Sequence, residues 1–313
     1  MTMPAADTAE AAVQAARTAK QKHAPSIQDR IGAHFDTLSP QLKIAARFVA
    51  EHPARIAMRS LRQVAAEAGL TPPTLSRLAR AVGCADYEAL RDICRNETTR
   101  RSQTFADKAK QLQKRGDGES PREPGGLIRR QAAAAVANIE MLLASVDARK
   151  LELAAGILSR SERVLLVGSL SSTAFADYAG YMANMAFANW SVAGQSGVSL
   201  SAALFDLGRR DTVLVVAKSP YARRSIEAAR LAKEAGAKVV AITDGVHSPV
   251  LPFATTSFIV CTESPNFFPS HAATLVLIEA LIGMVVRSAG KKAQSRIAAI
   301  ESANRAHGEY WQR

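Results

Sequence analysis

What the sequence lacks already narrows its class. Its three cysteines, Cys84, Cys94 and Cys261, are too scattered for a disulfide framework or a zinc site, so we expect no structural metal and a reducing cytoplasm. The longest apolar run, residues 272–286, is too short to span a bilayer and carries Glu279, so we expect a buried helix and no membrane contact. The N-terminus has no basic cluster followed by an apolar stretch, which argues against a secretory signal.

Acidic charge is also in short supply. The 313 residues hold 40 Lys and Arg against 28 Asp and Glu, a net charge of +12. Residues 1–130 contain 22 basic and 14 acidic side chains, whereas the longer remainder contains 18 and 14. A basic excess favours polyanionic partners, because each cation near a phosphate releases a condensed counterion. A generally basic surface would give the same numbers, so charge alone does not identify a nucleic-acid-binding protein.

The order of patterns along the chain predicts two domains. Residues 1–26 are rich in alanine with little apolar patterning and are expected to form a flexible tail. Residues 27–100 have helical periodicity, and residues 101–126 end in a stretch rich in Gly and Pro that is typical of a linker. A second domain is expected over 127–290, followed by a helical tail over 291–313.

The stretch "GLTPPTLSRLARAVG" (residues 69–83) opens a helix with two prolines. The first turn of a helix tolerates proline, because a backbone N–H there has no partner inside the helix, and Thr71 before them is suited to be the N-cap. Gly69 and Gly83 are suited to the left-handed conformation that ends a helix. With the preceding "SLRQVAAEAG", whose Ser60 begins a capping box, this predicts two short helices joined by a tight turn.

This pattern is that of a helix-turn-helix, whose second helix enters the major groove of DNA by its N-terminal end. Arg77 is the first candidate for a base contact, and Arg80 is better suited to anchor a phosphate. The candidate DNA-binding residues are Thr71, Thr74, Ser76, Arg77 and Arg80. The same spacing also occurs in proteins that never touch DNA, where Arg77 would be a solvated surface residue.

In the second domain the hydrophobic pattern changes from helical spacing to an alternation of short strands and helices. Short runs rich in β-branched residues at 163–168, 211–218, 237–244 and 256–262, with a weaker one at 190–194, alternate with helical stretches. This alternation predicts an α/β doubly wound parallel sheet behind an all-α helix-turn-helix domain. Ligands of such sheets bind outside the carboxyl ends of the strands.

Two resemblances follow from these residues. Residues 31–94 resemble the N-terminal domain of the RpiR family of bacterial transcription regulators, whose motif is matched at Val64, Ala65, Gly69, Leu70, Thr71, Thr74, Arg77, Leu78, Val82 and Gly83. Residues 127–288 resemble the SIS (sugar isomerase) domain, a flavodoxin-like fold, that this family carries behind it. The combination implies a cytoplasmic, homodimeric or homotetrameric regulator that binds a double-stranded DNA operator and senses a small phosphorylated metabolite.

The first ligand loop of the resemblance departs from the SIS pattern. That loop usually reads Gly-x-Gly-Ser-Ser, whereas this chain has Leu170 at the second glycine, between Gly168 and the pair Ser171 and Ser172. Helix N-termini bind anions through free N–H groups, so the two serines are ligand candidates, although either could merely cap its helix.

The second ligand loop, which follows the strand at 211–218, departs further from the SIS pattern. Only Ser219 survives of its usual hydroxyl and glycine positions, since Ala217, Pro220 and Ala222 fill the others. Lys218, Arg223 and Arg224 place cations beside it, and Gln195-Ser196 are expected nearby. The ligand-binding candidates are therefore Ser171, Ser172, Ser219, Arg223 and Arg224. The expected effector is a small anion, either a phosphorylated sugar or another anionic metabolite that suits the altered loops.

Two other functions fit the sequence less well. An SIS-type sugar-phosphate isomerase would need an acid/base pair, for which His271 and Glu279 are the only candidates. A sugar-phosphate-binding adaptor that never acts on DNA would not need the helix-turn-helix. We therefore expect no catalytic residues and no cofactor.

Overall fold

The computed structural model describes residues 27–102, 104–118, 125–194, 199–246 and 248–311. These residues form two compact units. The first contains the described residues up to Arg129 together with Pro265–Phe268, and the second contains Arg130–Ser264 and Pro269 onward.

The first unit is helical. Its helices are α1 (Ile27–His34), α2 (Pro40–Glu51), α3 (Pro53–Met58), α4 (Leu61–Glu67), α5 (Pro72–Ala81), α6 (Tyr87–Ser102) and α7 (Phe105–Gly118), with a 3-10 turn at Phe35–Thr37. Apolar side chains recur at helical spacing and meet in one core that includes Val49, Ile56, Leu75, Leu78 and Leu90. Helix α7 lies within the stretch that the sequence analysis assigns to a linker.

The two short helices predicted around residues 60–83 are α4 and α5, and a tight turn joins them. Ser60 and Gln63 make both bonds of a capping box at the start of α4. Gly69 ends α4 with a φ of +63°, and the Leu70 N–H donates to the Ala65 carbonyl at 2.8 Å, as in a Schellman motif. Gly83 ends α5 in the same way with a φ of +77°.

The second unit begins with α8 (Gly126–Ser145) and α9 (Ala148–Arg160) and then alternates strands with helices. The order is β1 (Val164–Gly168), a 3-10 turn (Leu170–Ser172), α10 (Thr173–Ala186), β2 (Trp190–Val192), α11 (Leu200–Phe205), β3 (Thr212–Ala217), α12 (Arg223–Glu234), β4 (Lys238–Thr243), a 3-10 turn (Leu251–Phe253), β5 (Thr256–Ile259), α13 (Ala272–Ala289) and α14 (Lys291–Ala306).

The five strands are all parallel, in the spatial order β2-β1-β3-β4-β5. This is the flavodoxin-like order of a doubly wound sheet, whose topological switch point lies between β1 and β3. The expected fold class, helices first and then an α/β doubly wound parallel sheet, is confirmed. The carboxyl ends of β1, β3 and β4 lie side by side, since Gly168 pairs with Val216 and Ala217 pairs with Thr243.

Both faces of the sheet are covered. Leu166, Leu214 and Ile242 pack on one face in a core shared with α9, α10 and α13, and alternate residues such as Val215 and Val239 pack on the other face with α12. Helix α13 has 18 residues and is longer than the apolar run read from the sequence, so by length and composition alone it could cross a membrane. Seven of its side chains are buried in the sheet core, which is how a core helix packs.

Candidate functional site

The DNA-binding candidates lie together on the outer side of α5. Thr71 occupies the N-cap position, and Pro72 and Pro73 follow in the first turn, as expected. The hydroxyl of Thr71 does not cap the helix, because it bonds to the hydroxyl of Thr74 at 2.9 Å. Thr71 and Thr74 therefore place both hydroxyls at the start of the helix, where a DNA phosphate or base could contact them.

Arg77 and Arg80 point away from the core, and Ser76 is half-buried beside them. Leu75, Leu78 and Ala79 form the buried stripe that fixes this orientation. Within the part of the chain that the structure describes, neither guanidinium makes a hydrogen bond or an ion pair. Arg59 differs, because its guanidinium pairs with the Glu67 carboxylate at the end of α4. The two arginines of α5 are thus available for an external anion.

A cavity of about 490 Å³ opens at the carboxyl end of the sheet in the second unit. It lies where the ends of β1 and β2 face the start of α12. Its charged lining is Arg223 and Arg224, and its hydroxyl lining is Ser169 and Thr173. The remaining lining is apolar or glycine: Val167, Gly168, Leu170, Val192, Ala193, Gly194, Leu200 and Ala222.

Glycine is required at Gly168 by close packing. A Cβ at this position would come within 2.6 Å of the Ser172 carbonyl carbon and closer still to its oxygen, so the strand end is in direct contact with the turn that starts α10. Arg224 lies near the backbone that follows β2, because a Cβ on Gly194 would meet its Nη2 at 3.3 Å. The guanidinium is therefore held against the backbone at the end of β2.

Leu170 adopts a φ of +56°, and among the described residues it is the only non-glycine with a positive φ. A left-handed conformation costs a residue with a Cβ roughly 1–2 kcal/mol. The position is the one at which the SIS pattern has its second glycine, so this chain keeps the backbone geometry of the loop and adds a side chain to it. That side chain is 71% exposed and lines the cavity.

The structure brings some of the sequence-predicted ligand residues together and leaves others apart. Arg223 and Arg224 line the cavity. Ser171 is exposed and Ser172 is buried, and neither belongs to the described lining. Ser219 is also outside it, and its N–H donates to the Asp244 carboxylate at 2.9 Å. Gln195-Ser196, which were expected nearby, lie outside the described residues.

The sequence places Lys218 close to Arg223 and Arg224, but Lys218 is not part of the described cavity lining. It is buried, and its Nζ has no hydrogen-bond partner among the residues described. The strand register explains its neighbours, because Ala217 pairs with Thr243, which places the next residues, Lys218 and Asp244, side by side. Burial lowers the pKa of Lys218 to about 8, and the nearby Asp244 carboxylate opposes this shift.

Tyr221 and His271 lie half-buried beside Lys218 and Asp244 and complete a polar cluster. Burial, followed by the charge of Asp244, raises the pKa of Tyr221 to about 12. Burial and then the charge of Lys218 lower the pKa of His271, whose ring lies 4.9 Å from that of Phe175. The sequence shows that polar residues follow β3 and β4, which is a signal for this cluster. It does not show the direction in which their side chains point.

The acid/base pair that an isomerase would need is not formed by His271 and Glu279. The Glu279 carboxylate is exposed and accepts a hydrogen bond from the Tyr178 hydroxyl at 2.7 Å. Eight residues of helix, about 12 Å of rise, separate it from His271. This separation does not favour the two residues as an acid/base pair, so the geometry does not favour the isomerase alternative.

Two comparisons with known sequences agree with this geometry. The SIS domain family model matches residues 157–284. An uncharacterized HTH-type transcriptional regulator of Haemophilus influenzae is 24% identical over 232 residues, which cover 73% of this chain and 77% of that protein. Bifunctional protein glk of Burkholderia thailandensis is 26% identical over 274 residues, 86% of this chain but only 41% of that protein, so the chain spans less than half the length of this curated relative.

Two solved structures share the fold. The sugar isomerase domain of an RpiR transcription factor from Sphaerobacter thermophilus has a TM-score of 0.53 and 21% identity, covering 56% of this chain and 98% of that chain. The Vibrio vulnificus NanR protein, complexed with ManNAc-6P, has a TM-score of 0.51 and 17% identity, covering 89% and 98%. The C-terminal half of this chain is therefore a SIS domain with the fold found in these transcription regulators.

Proposed function

We propose that this chain is a transcription regulator that binds double-stranded DNA through α5 and senses a small anionic metabolite in its SIS domain. The observation that carries the proposal is the pair of exposed arginines on the second helix of a helix-turn-helix, in one chain with a SIS domain. Such a regulator works in the cytoplasm and is not an enzyme.

The DNA side of the proposal follows from the position of the cations. Arg77 lies one turn and a half into α5, on the side that a recognition helix turns to the major groove. An arginine there can donate two hydrogen bonds to a guanine, while Arg80 and the exposed Arg62 are placed to neutralise phosphates. The basic excess of residues 1–130 supports this assignment.

The ligand side follows from the cavity. Arg223 and Arg224 stand at the start of α12, where free N–H groups and the helix dipole add to their positive charge. NanR, which shares the fold, was solved with a phosphorylated sugar, and this supports an anionic effector here. The effector regulates only if it binds the DNA-competent and DNA-incompetent states with different affinity, since equal binding shifts no equilibrium.

The experiment that tests the DNA assignment is a footprint over the DNA upstream of the coding sequence, followed by titration of the protected site with Arg77→Ala. We expect the variant to bind about 5- to 150-fold more weakly, the range of one arginine–guanine pair. Arg149→Ala removes the same charge from an exposed position of α9 and is the matched control. Its affinity should stay within twofold of the unaltered protein.

Salt dependence gives a second measurement. Each phosphate neutralised contributes a slope of roughly −0.9 to log K against log[salt]. If Arg77 reads a base, Arg77→Ala weakens binding with little change in slope, whereas Arg80→Ala reduces the slope by about one phosphate. Equal affinity of Arg77→Ala and the unaltered protein, with the helical circular dichroism intact, would show that α5 does not read DNA.

A further inference from the structure

The cavity in the SIS domain has a lining that a polyhydroxylated ligand would use poorly. Two of its described residues carry hydroxyls, Ser169 and Thr173, and two carry charge, Arg223 and Arg224. Six others present only carbon: Val167, Leu170, Val192, Ala193, Leu200 and Ala222. Ligand hydroxyls that lose water without gaining a partner weaken binding, so this lining discriminates against a sugar body and in favour of an apolar one.

The charged residues and the apolar residue Leu170 come from different loops around the cavity. Both arginines come from the start of α12, and the guanidinium of Arg224 lies against Gly194 at the end of β2. Leu170 belongs to the opposite loop, after β1. A ligand whose anionic head contacts the arginines therefore extends its body along a carbon wall that ends at Leu170.

Leu170 is the second observation that points to an apolar ligand. It is held at a positive φ, where glycine would be unstrained, and its side chain is still 71% exposed. Neither the backbone conformation nor burial within the chain accounts for leucine at this position. An apolar ligand body that covers the side chain removes carbon surface from water on both partners.

We propose that the cavity binds an anion with an apolar body, such as an alkyl or aryl phosphate or carboxylate, and that Leu170 is the residue that selects this body over a sugar. This inference rests on the proposed function only in taking Arg223 and Arg224 as the anion site. The shared chemistry of the ligand class is one anionic head on a chain or ring with few hydroxyls.

The test compares ligands that differ only in hydroxylation. The full chain is titrated by calorimetry with hexyl phosphate and sorbitol 6-phosphate, and with hexanoate and gluconate, so that each pair shares its head group and an open chain of six carbons. We expect the apolar member of at least one pair to bind ten times or more tightly than its partner, because each buried methylene tightens binding about fourfold. The two pairs distinguish a phosphate head from a carboxylate head.

Substitutions at Leu170 then assign the preference. Asn tolerates the left-handed conformation, so Leu170→Asn keeps the loop and removes the apolar side chain. We expect it to weaken the apolar ligand at least fivefold and to leave the hydroxylated ligand within twofold. Leu153→Asn, at a half-exposed leucine of α9 outside the cavity lining, is the matched control and should leave both unchanged.

The outcomes separate this inference from the proposed function. If the hydroxylated member of each pair binds as tightly as the apolar one, and Arg223→Ala or Arg224→Ala abolishes that binding, the anion site stands and the apolar preference is wrong. If none of the four ligands binds, both the preference and the anion site are wrong. If Leu170→Asn weakens both members of a pair equally, Leu170 does not select the body.

Discussion

At the scale of single residues, the burial of Lys218 leads to a prediction about stability. Its charged form is buried without a hydrogen-bond partner in the described structure, and burial holds its pKa near 8 instead of the usual 10.5. Replacement by methionine keeps the volume and removes the charge. We expect Lys218→Met to have a free energy of unfolding roughly 1–3 kcal/mol higher than that of the unaltered protein at pH 7, as measured by urea unfolding. The loss of the attraction between Lys218 and the Asp244 carboxylate makes this gain smaller.

The pH dependence of this effect has a definite sign. Between pH 8 and 10.5 the unfolded chain keeps the Lys218 proton while the folded chain has lost it, so the unaltered protein should gain stability as the pH rises through this window. Lys218→Met should lack that gain, and Lys238→Met, at an exposed lysine of β4, should retain it. The raised pKa of Tyr221 costs stability only as the pH nears the ordinary tyrosine value of about 10, so measurements from pH 7 to 9 isolate the effect of Lys218. Parallel curves for all three proteins would contradict the burial of a charged Lys218.

How far the sequence predicts the site also depends on single residues. Arg223 and Arg224 could be placed at the sheet edge because they follow a strand, and the departure at Leu170 was visible in the motif. The position of Lys218 could not be predicted, because one step along a strand moves a side chain to the other face of the sheet. Ser219 has a surviving hydroxyl in the sequence, yet only the structure shows its N–H engaged by Asp244.

At the scale of elements, the contact between β1 and the start of α10 should be intolerant of any side chain at Gly168. Alanine there would press its Cβ into the backbone of Ser172, which cannot move without displacing α10. We expect Gly168→Ala to lower the free energy of unfolding by at least about 1–3 kcal/mol. Gly283→Ala is the matched control, since Gly283 lies inside α13 with open space around it and alanine should stabilise that helix by up to about 1 kcal/mol. Equal thermal unfolding of the two variants would contradict the close packing at β1.

Most elements were predictable because their ends carry local signals. The capping box at Ser60 and the left-handed Gly69 and Gly83 mark the helix-turn-helix in the sequence, and all three are present in the structure. The strands follow from their β-branched runs, including β2, which has only three residues. Helix α7 falls in the predicted linker because the stretch that contains it ends in residues rich in Gly and Pro, and those residues led to the assignment.

At the scale of the whole molecule, the remaining expectation is self-association. One helix-turn-helix reads half a site, so specific binding to a palindrome requires two copies whose recognition helices lie about 34 Å apart. Helix α13 holds the longest apolar run of the sequence, but its exposed positions include Glu279 and Gly283 and present little apolar surface. Larger apolar side chains are exposed on α8, where Val136 and Leu143 are two turns apart.

We therefore predict that the full chain is a homodimer or homotetramer at micromolar concentration, with the α8 surface around Val136 and Leu143 as part of the contact. Two glutamates there would bury unpaired charge in the interface, so Val136→Glu with Leu143→Glu should shift the mass measured by light scattering toward the monomer. The double variant should lose affinity for a palindromic site, because it no longer holds two half-sites at once, but should bind a single half-site and the anionic ligand as before. A monomeric mass for the unaltered protein would contradict the association. A double variant that keeps its oligomeric mass would place the contact elsewhere and leave the palindrome prediction intact.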